Sequence, residues 1–259
     1  MRLLGKAENR GRFMSRKKRM LAGIFLLIFS VCVGRISWKA LDHSRGAADY
    51  VEASALAGLG ADADTLPETD EYAAVLAETD LSALREVNGE VAGWIAIPDT
   101  EVFYPVMQAA DNSYYLDHTW NREKSSVGAI FIDCEGNPDF SDFQTLIYGH
   151  QMQNGSMFGG LHRYKDDAYL REHPAIYLAT DEGVQRYDIF AAFEAGVKDV
   201  VYRLDIEQEG IQQELIDYCL SRSVVDTGIV PKADDHIITL STCTGRGYAT
   251  RWVVQGVRR

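Results

Sequence analysis

The stretch from His236 to Gly256, His-Ile-Ile-Thr-Leu-Ser-Thr-Cys-Thr-Gly-Arg-Gly-Tyr-Ala-Thr-Arg-Trp-Val-Val-Gln-Gly, constrains this chain more than any other. An apolar, β-branched run ends at Cys243, a loop bearing Gly245 and Gly247 follows, and a second β-rich run opens at Arg251. That is the pattern of strand, turn and strand. Side-chain alternation puts Thr239, Ser241 and Cys243 on one face of the first strand, and Arg251, Val253 and Gln255 on one face of the second. If the two strands pair, a thiol and a guanidinium open onto the same groove. The combination suits attack on a carbonyl: the thiolate is the nucleophile, a nearby cation lowers its pKa, and an arginine can hold the oxyanion that develops. A cysteine at the end of an apolar strand also packs as a small buried hydrophobe, so a base is needed to decide between the two readings.

Among six histidines, His150 has the context of a base. Thr145-Leu-Ile-Tyr-Gly-His150 is another short apolar strand, followed by the polar turn Gln151 to Ser156, and reactive groups concentrate at such junctions. By alternation Tyr148 faces the same way as His150 and supplies an aromatic wall. His43, His118, His162, His173 and His236 lie in polar, Tyr-rich, charged or strand-start surroundings and read as solvated or structural. Their spacing is not that of a metal-ligand set, so neither a metal nor a cofactor is expected.

Strands are expected near 91–97, 102–107, 127–133, 145–149, 175–180, 185–197, 236–242 and 251–257, with short helices near 112–117, 157–163 and 166–172. Asp80 is placed to cap a helix with Leu81, Leu84 and Val87 on one side. A longer helix over Glu207 to Arg222 carries Ile211, Leu215, Tyr218, Cys219 and Arg222 at helical spacing. The fold class is mainly β, a closed eight-stranded barrel with short helices.

The N-terminal part divides differently. Residues 1–19 form a basic tail, 20–38 an apolar membrane anchor, 39–79 an acidic stalk that is partly helical and partly disordered, and 80–259 the folded domain. The run from Met20 to Gly34 is uncharged and continues past Arg35 to Trp38; the absence of a small-x-small site after it favours a retained anchor over a cleaved signal peptide. The first 20 residues carry eight Lys/Arg against Glu8, net +7, so with −12 for the whole chain the remainder carries −19. Such an asymmetry predicts a single-pass protein in the cell membrane, its N-terminus cytoplasmic and its body outside. An acidic body also argues against nucleic acid as a partner. Outside the cell Cys134 and Cys219 could pair, although two small buried thiols are the simpler reading.

Several ordered blocks resemble the sortases, the cysteine transpeptidases that attach proteins to Gram-positive cell walls. They are Thr239-Leu-Ser-Thr-Cys243 with Arg251-Trp-Val-Val, and Tyr148-Gly-His150 with Gly155-Ser-Met-Phe158. Ser221 to Gly228 leading to Asp234 to Leu240, together with Val91 to Pro98, Tyr104-Pro-Val106 and Asp111 to His118, are similar to class B in particular. The resemblance implies a sortase-type barrel and a catalytic set of Cys243 as nucleophile, His150 as acid and base, and Arg251 at the oxyanion. Tyr148, Ser241 and Thr242, close to the catalytic positions, become candidate substrate contacts. The implied partners are surface proteins bearing a C-terminal sorting signal, cleaved after Thr, and an amine acceptor from peptidoglycan peptide or a pilin lysine. Gln151, where many relatives have Asn, and the glycine-bearing loop Thr244 to Thr250 depart from the family pattern and bear on motif preference. A catalytically silent barrel that binds a wall polypeptide, and a thiol peptidase that only hydrolyses, are the alternative readings.

Overall fold

The alternating segments form strands Val91–Ala96 (β1), Phe103–Met107 (β2), Ile130–Ile132 (β3), Gln144–Tyr148 (β4), Ala175–Thr180 (β5), Gly183–Gly196 (β6), Ile237–Cys243 (β7) and Thr250–Arg258 (β8) in a computed structural model that describes residues 16–60, 70–247 and 249–259. They close into a barrel in the order β1-β2-β3-β4-β7-β8-β6-β5. Two of the pairings are parallel, β2 with β3 and β4 with β7; the others are antiparallel. A parallel pair cannot be joined by a hairpin, so the chain between β4 and β7 must travel around the barrel before it returns.

Alternation along β7 and β8 separates two apolar regions. Ile238, Leu240, Trp252 and Val254 belong to the main core, whereas Ile237, Val253 and Val257 join a second cluster with Phe190, Phe193, Leu215, Ile216 and Cys219. The second cluster lies beneath the helix Glu209–Arg222 (labelled α5 below), which buries Leu215, Ile216 and Cys219 on the outside of the barrel. The helix expected there is present, with Arg222 exposed and its guanidinium donating to the Glu194 carbonyl at 2.9 Å. Cys134 and Cys219 are free thiols; burial pushes the Cys219 thiol up to about 12, and Cys134 is only half-buried.

Among the described residues the further helices are Arg16–Leu56 (α1), Asp70–Ala77 (α2), Leu81–Val87 (α3) and Asp167–Glu172 (α4). The chain divides into two compact units, one up to Asp42 and one from His43 to Arg259. In the first, the large apolar side chains between Met20 and Trp38 are exposed, and an 18-residue window of mean hydropathy 2.1 is long and apolar enough to cross a membrane. Most of the basic tail lies outside the described residues, as does 61–69.

The second unit begins well before residue 80, where the domain was expected to start. Tyr50, Ala53, Ala57 and Leu59 are buried, as are Tyr72 and Leu76 of α2, all within the main core. The Tyr50 hydroxyl donates to the Gly128 carbonyl at 2.5 Å, and its ring meets Tyr104 edge-on at 5.1 Å. Trp120 reaches back to donate to the Asp49 carbonyl at 2.7 Å. The described residues expected as stalk, 43–60 and 70–79, therefore belong to this unit. Small alanines at helical spacing beside an aromatic give a narrow apolar stripe that an acidic average conceals. Asp80 does cap α3, its carboxylate accepting from the Ala83 amide at 2.9 Å, and Leu81 and Leu84 are buried; Val87 stays 51% exposed, off the packed side.

A body starting at His43 should unfold at a higher temperature than one starting at Asp80. Within it, Leu76→Ala should lose about 2–5 kcal/mol in urea unfolding, as expected of a fully buried leucine, while Val87→Ala should stay within about 0.5 kcal/mol of the parent.

Candidate active site

β7 ends at Cys243 because the next residues cannot extend the ladder regularly: Gly245 and Gly247 have φ of +72° and +112°, a region side chains other than glycine disfavour. The turn they make returns the chain as β8 with Cys243 directly opposite Arg251. The thiol and guanidinium predicted from alternation are thus register partners, both half-buried. The Arg251 Nη1 donates to the Thr250 carbonyl at 3.1 Å. Arg246, in the same turn, pairs with Glu194 on β6 and ties the loop to the adjacent strand.

His150 arrives through the parallel pairing of β4 with β7, which aligns Tyr148 with Ser241. His150 and Cys243 each lie two residues past that pair. The contacts on either side of His150 follow the same path: the Gly149 amide donates to the Ser241 carbonyl at 3.2 Å, and the Gln151 Oε1 lies 3.1 Å from where a Cβ on Gly245 would stand. The segment flanking the imidazole therefore meets the segment flanking the thiol, through backbone at Gly149 and through the side chain at Gln151. The His150 Nε2 is 2.6 Å from the Leu116 carbonyl oxygen. A carbonyl only accepts, so Nε2 carries the proton and Nδ1 is the nitrogen left for chemistry. The ring fits because Gly128, at φ +65°, has no side chain there: a Cβ would stand 2.8 Å from His150 Cδ2 and 2.7 Å from the Tyr115 carbonyl.

Tyr148 and Ser241 are both on the outer face, joined by a residue that alternation did not single out. Tyr202, at the end of the 3-10 turn Val200–Tyr202, meets the Ser241 hydroxyl through its own at 2.9 Å and stacks with Tyr148 at 6.5 Å. Burial pushes the Tyr202 phenol up to about 12; Arg251 and Cys243 act on it in opposite senses, placing all three within electrostatic reach. The Tyr148 hydroxyl donates to Asp133 at 2.8 Å, and burial, reinforced by that carboxylate, keeps the phenol protonated. Thr242 departs from expectation. Lying between Ser241 and Cys243, it points to the opposite face beside its register partner Trp252, 2% exposed, so its side chain is withdrawn from the groove.

The other histidines are mostly engaged by backbone. His118, His173 and His236 bond through Nδ1 to the carbonyls of Tyr114, Pro98 and Asp142. His162 instead bonds through Nε2 to the carbonyl of Cys243 at 2.8 Å. Together Cys243, His150 and Arg251 supply a thiol, an imidazole with one open nitrogen and a planar cation, flanked by phenols that stay protonated. Such a set is suited to acyl transfer through a covalent intermediate.

The Sortase domain family model matches residues 95–259. Sortase B of Listeria monocytogenes is 35% identical over 181 residues, covering 68% of this chain and 73% of that protein. Among solved structures, the Staphylococcus aureus sortase B–substrate complex superposes with a TM-score of 0.65 at 28% identity, covering 69% of this chain and 83% of the other. Clostridium perfringens sortase B does so with a TM-score of 0.66 at 27% identity, covering 70% and 100%.

Gly128→Ala should disturb the imidazole's seat. The left-handed backbone and the two close contacts predict a loss of about 1–3 kcal/mol in urea unfolding. The His150 ring, displaced from Leu116, should become more reactive toward diethyl pyrocarbonate, measured by peptide mapping.

Proposed function

The chain belongs to the sortase family, within class B, and we propose that its transpeptidation runs through Cys243, His150 and Arg251. The Cys243 thiol passes its proton to the open Nδ1 of His150, and the resulting thiolate attacks the carbonyl of the threonine in a C-terminal sorting signal. The oxyanion of the tetrahedral intermediate is met by the Arg251 guanidinium, whose planar fork suits that charge. As the carbon–nitrogen bond breaks, His150 gives a proton to the departing amine and a thioester remains on Cys243. An acceptor amine then attacks the thioester and loses its proton to His150. The new amide forms and the Cys243 sulfur leaves as thiolate. The observation that carries this assignment is the Cys243 to Arg251 register pair, with the Gly149 amide on one side of His150 bonded to the Ser241 carbonyl and the Gln151 side chain on the other lying beside Gly245.

The substrate follows from class and groove together. Class B enzymes are associated with Asn-Pro-x-Thr signals, and an extended peptide of that kind would lie along the outer face past Tyr148 and Tyr202, beneath which Ser241 is buried. The acceptor is a peptidoglycan peptide amine or a pilin lysine. In the same reading the apolar part of α1 anchors the chain in the cell membrane. The basic cluster before it keeps the N-terminus cytoplasmic and leaves the acidic body outside.

Incubation of the body from His43 with a library of sorting peptides should give a thioester on Cys243 detectable by mass spectrometry, and Cys243→Ala should give none. Arg251→Lys keeps the charge but not the fork, and should lower the rate of acylation by about 10²–10³, the usual effect of removing one oxyanion donor. Acylation by Cys243→Ala would show that another residue is the nucleophile.

A further inference from the structure

We infer that His162 is a positioning residue that sets the Cys243 thiol relative to His150, an inference that rests on Cys243 being the nucleophile. The segment Met157 to His162 touches both residues. At one end the Phe158 amide donates to the His150 carbonyl at 3.0 Å; four residues later the His162 Nε2 stands 2.8 Å from the Cys243 carbonyl. The turn between them is the start of the 3-10 helix Gly159–Lys165, in which Leu161 is buried and Phe158 is its N-terminal neighbour, also buried. A short, packed turn that hydrogen-bonds one backbone group of each residue acts as a spacer between them.

His162 also grips the second strand. Its ring stacks on Trp252 at 5.6 Å with the planes 29° apart, and Trp252 is the residue next to Arg251. One imidazole thus contacts the last residue of β7 and the ring beside the guanidinium on β8. The place matters because the β7 to β8 pairing ends at Cys243 and Arg251, with Gly245 and Gly247 just beyond. Past that point the ladder no longer restrains the Cys243 carbonyl, and the His162 bond takes over. A carbonyl cannot donate, so His162 must hold its proton on Nε2. Loss of that donor lets the peptide plane after Cys243 turn, which redirects the thiol without removing any group that touches substrate. Displacements of about 1 Å in such positions can lower turnover by about 10²-fold.

The test compares His162→Gln, which keeps a donor at similar reach, with His162→Met, which has similar length and none, both in the full chain in detergent. His162→Met should lower kcat for transpeptidation by about 10-fold or more with KM unchanged, and His162→Gln should remain within about threefold of the parent. Parental kcat in His162→Met, a change in KM alone, or an equal fall in both variants would overturn the inference. Should His162→Met not fold, His162→Phe, which keeps a ring on Trp252 and lacks the donor, takes its place with the same outcomes. A second measurement needs no substrate: in chain labelled with 15N-histidine, the neutral His162 ring should show the Nε2–H tautomer, and an Nδ1–H tautomer would sink the inference. Absence of any acyl-enzyme in the parent would instead count against the proposed function, leaving the tautomer measurement to decide the bond.

Discussion

The parallel pairing of β4 with β7 is the constraint on which the rest of the molecule turns. Its register, from Gln144 with Ile237 to Tyr148 with Ser241, delivers two strand ends side by side and sends the chain on past each with a histidine or a cysteine in the lead. A slip of one residue would invert every side chain of β7, turning Ser241 and Cys243 into the core and Thr242 out. Buried polar groups oppose that slip. Thr239 donates to the Gln144 side chain at 3.0 Å and accepts from Gln255 at 2.9 Å, which fixes β4, β7 and β8 against one another. An apolar core would tolerate displaced strands better than these groups, each of which becomes costly if left unpaired.

The same amide extends the constraint to the groove wall. Gln144 Nε2 donates to the carbonyls of Val201 and Arg203, both at 3.0 Å, and so holds in place the turn that ends in Tyr202. The phenol of Tyr202 then meets Ser241, and the wall and the strand bearing the thiol are set by one network. Tyr148 and Tyr202 are both driven further toward the protonated form by burial, so neither phenol adds a charge beside the thiol.

Much of this was legible in the sequence, for reasons that differ by residue. Cys243 and Arg251 are joined by a short glycine-bearing turn, so local pairing alone sets their relation. His150 could be chosen as a strand-end residue, yet its place beside Cys243 depends on a parallel pairing between segments about 90 residues apart in sequence, which no local pattern encodes. Tyr202 and His162 escaped because they sit in 3-10 turns with no periodicity to reveal which way they face. His162 in particular, surrounded by Arg163 and Lys165, has the look of a solvated residue until the fold brings it against Trp252. Composition misled at the boundary of the folded unit, where Tyr50, Ala53, Ala57, Tyr72 and Leu76 pack within a stretch whose acidic average hides them. Thr242 shows the converse: adjacency to Cys243 in sequence carries no information about facing, because neighbours on a strand point to opposite sides.

Among the described residues the eight strands close into a ring, so no strand stands at an outer edge along its whole length for an incoming polypeptide to join as a ninth. Discrimination among peptides on this body must then come from side chains and the loops that carry them, where a few substitutions can change what is accepted while the scaffold beneath stays as it is.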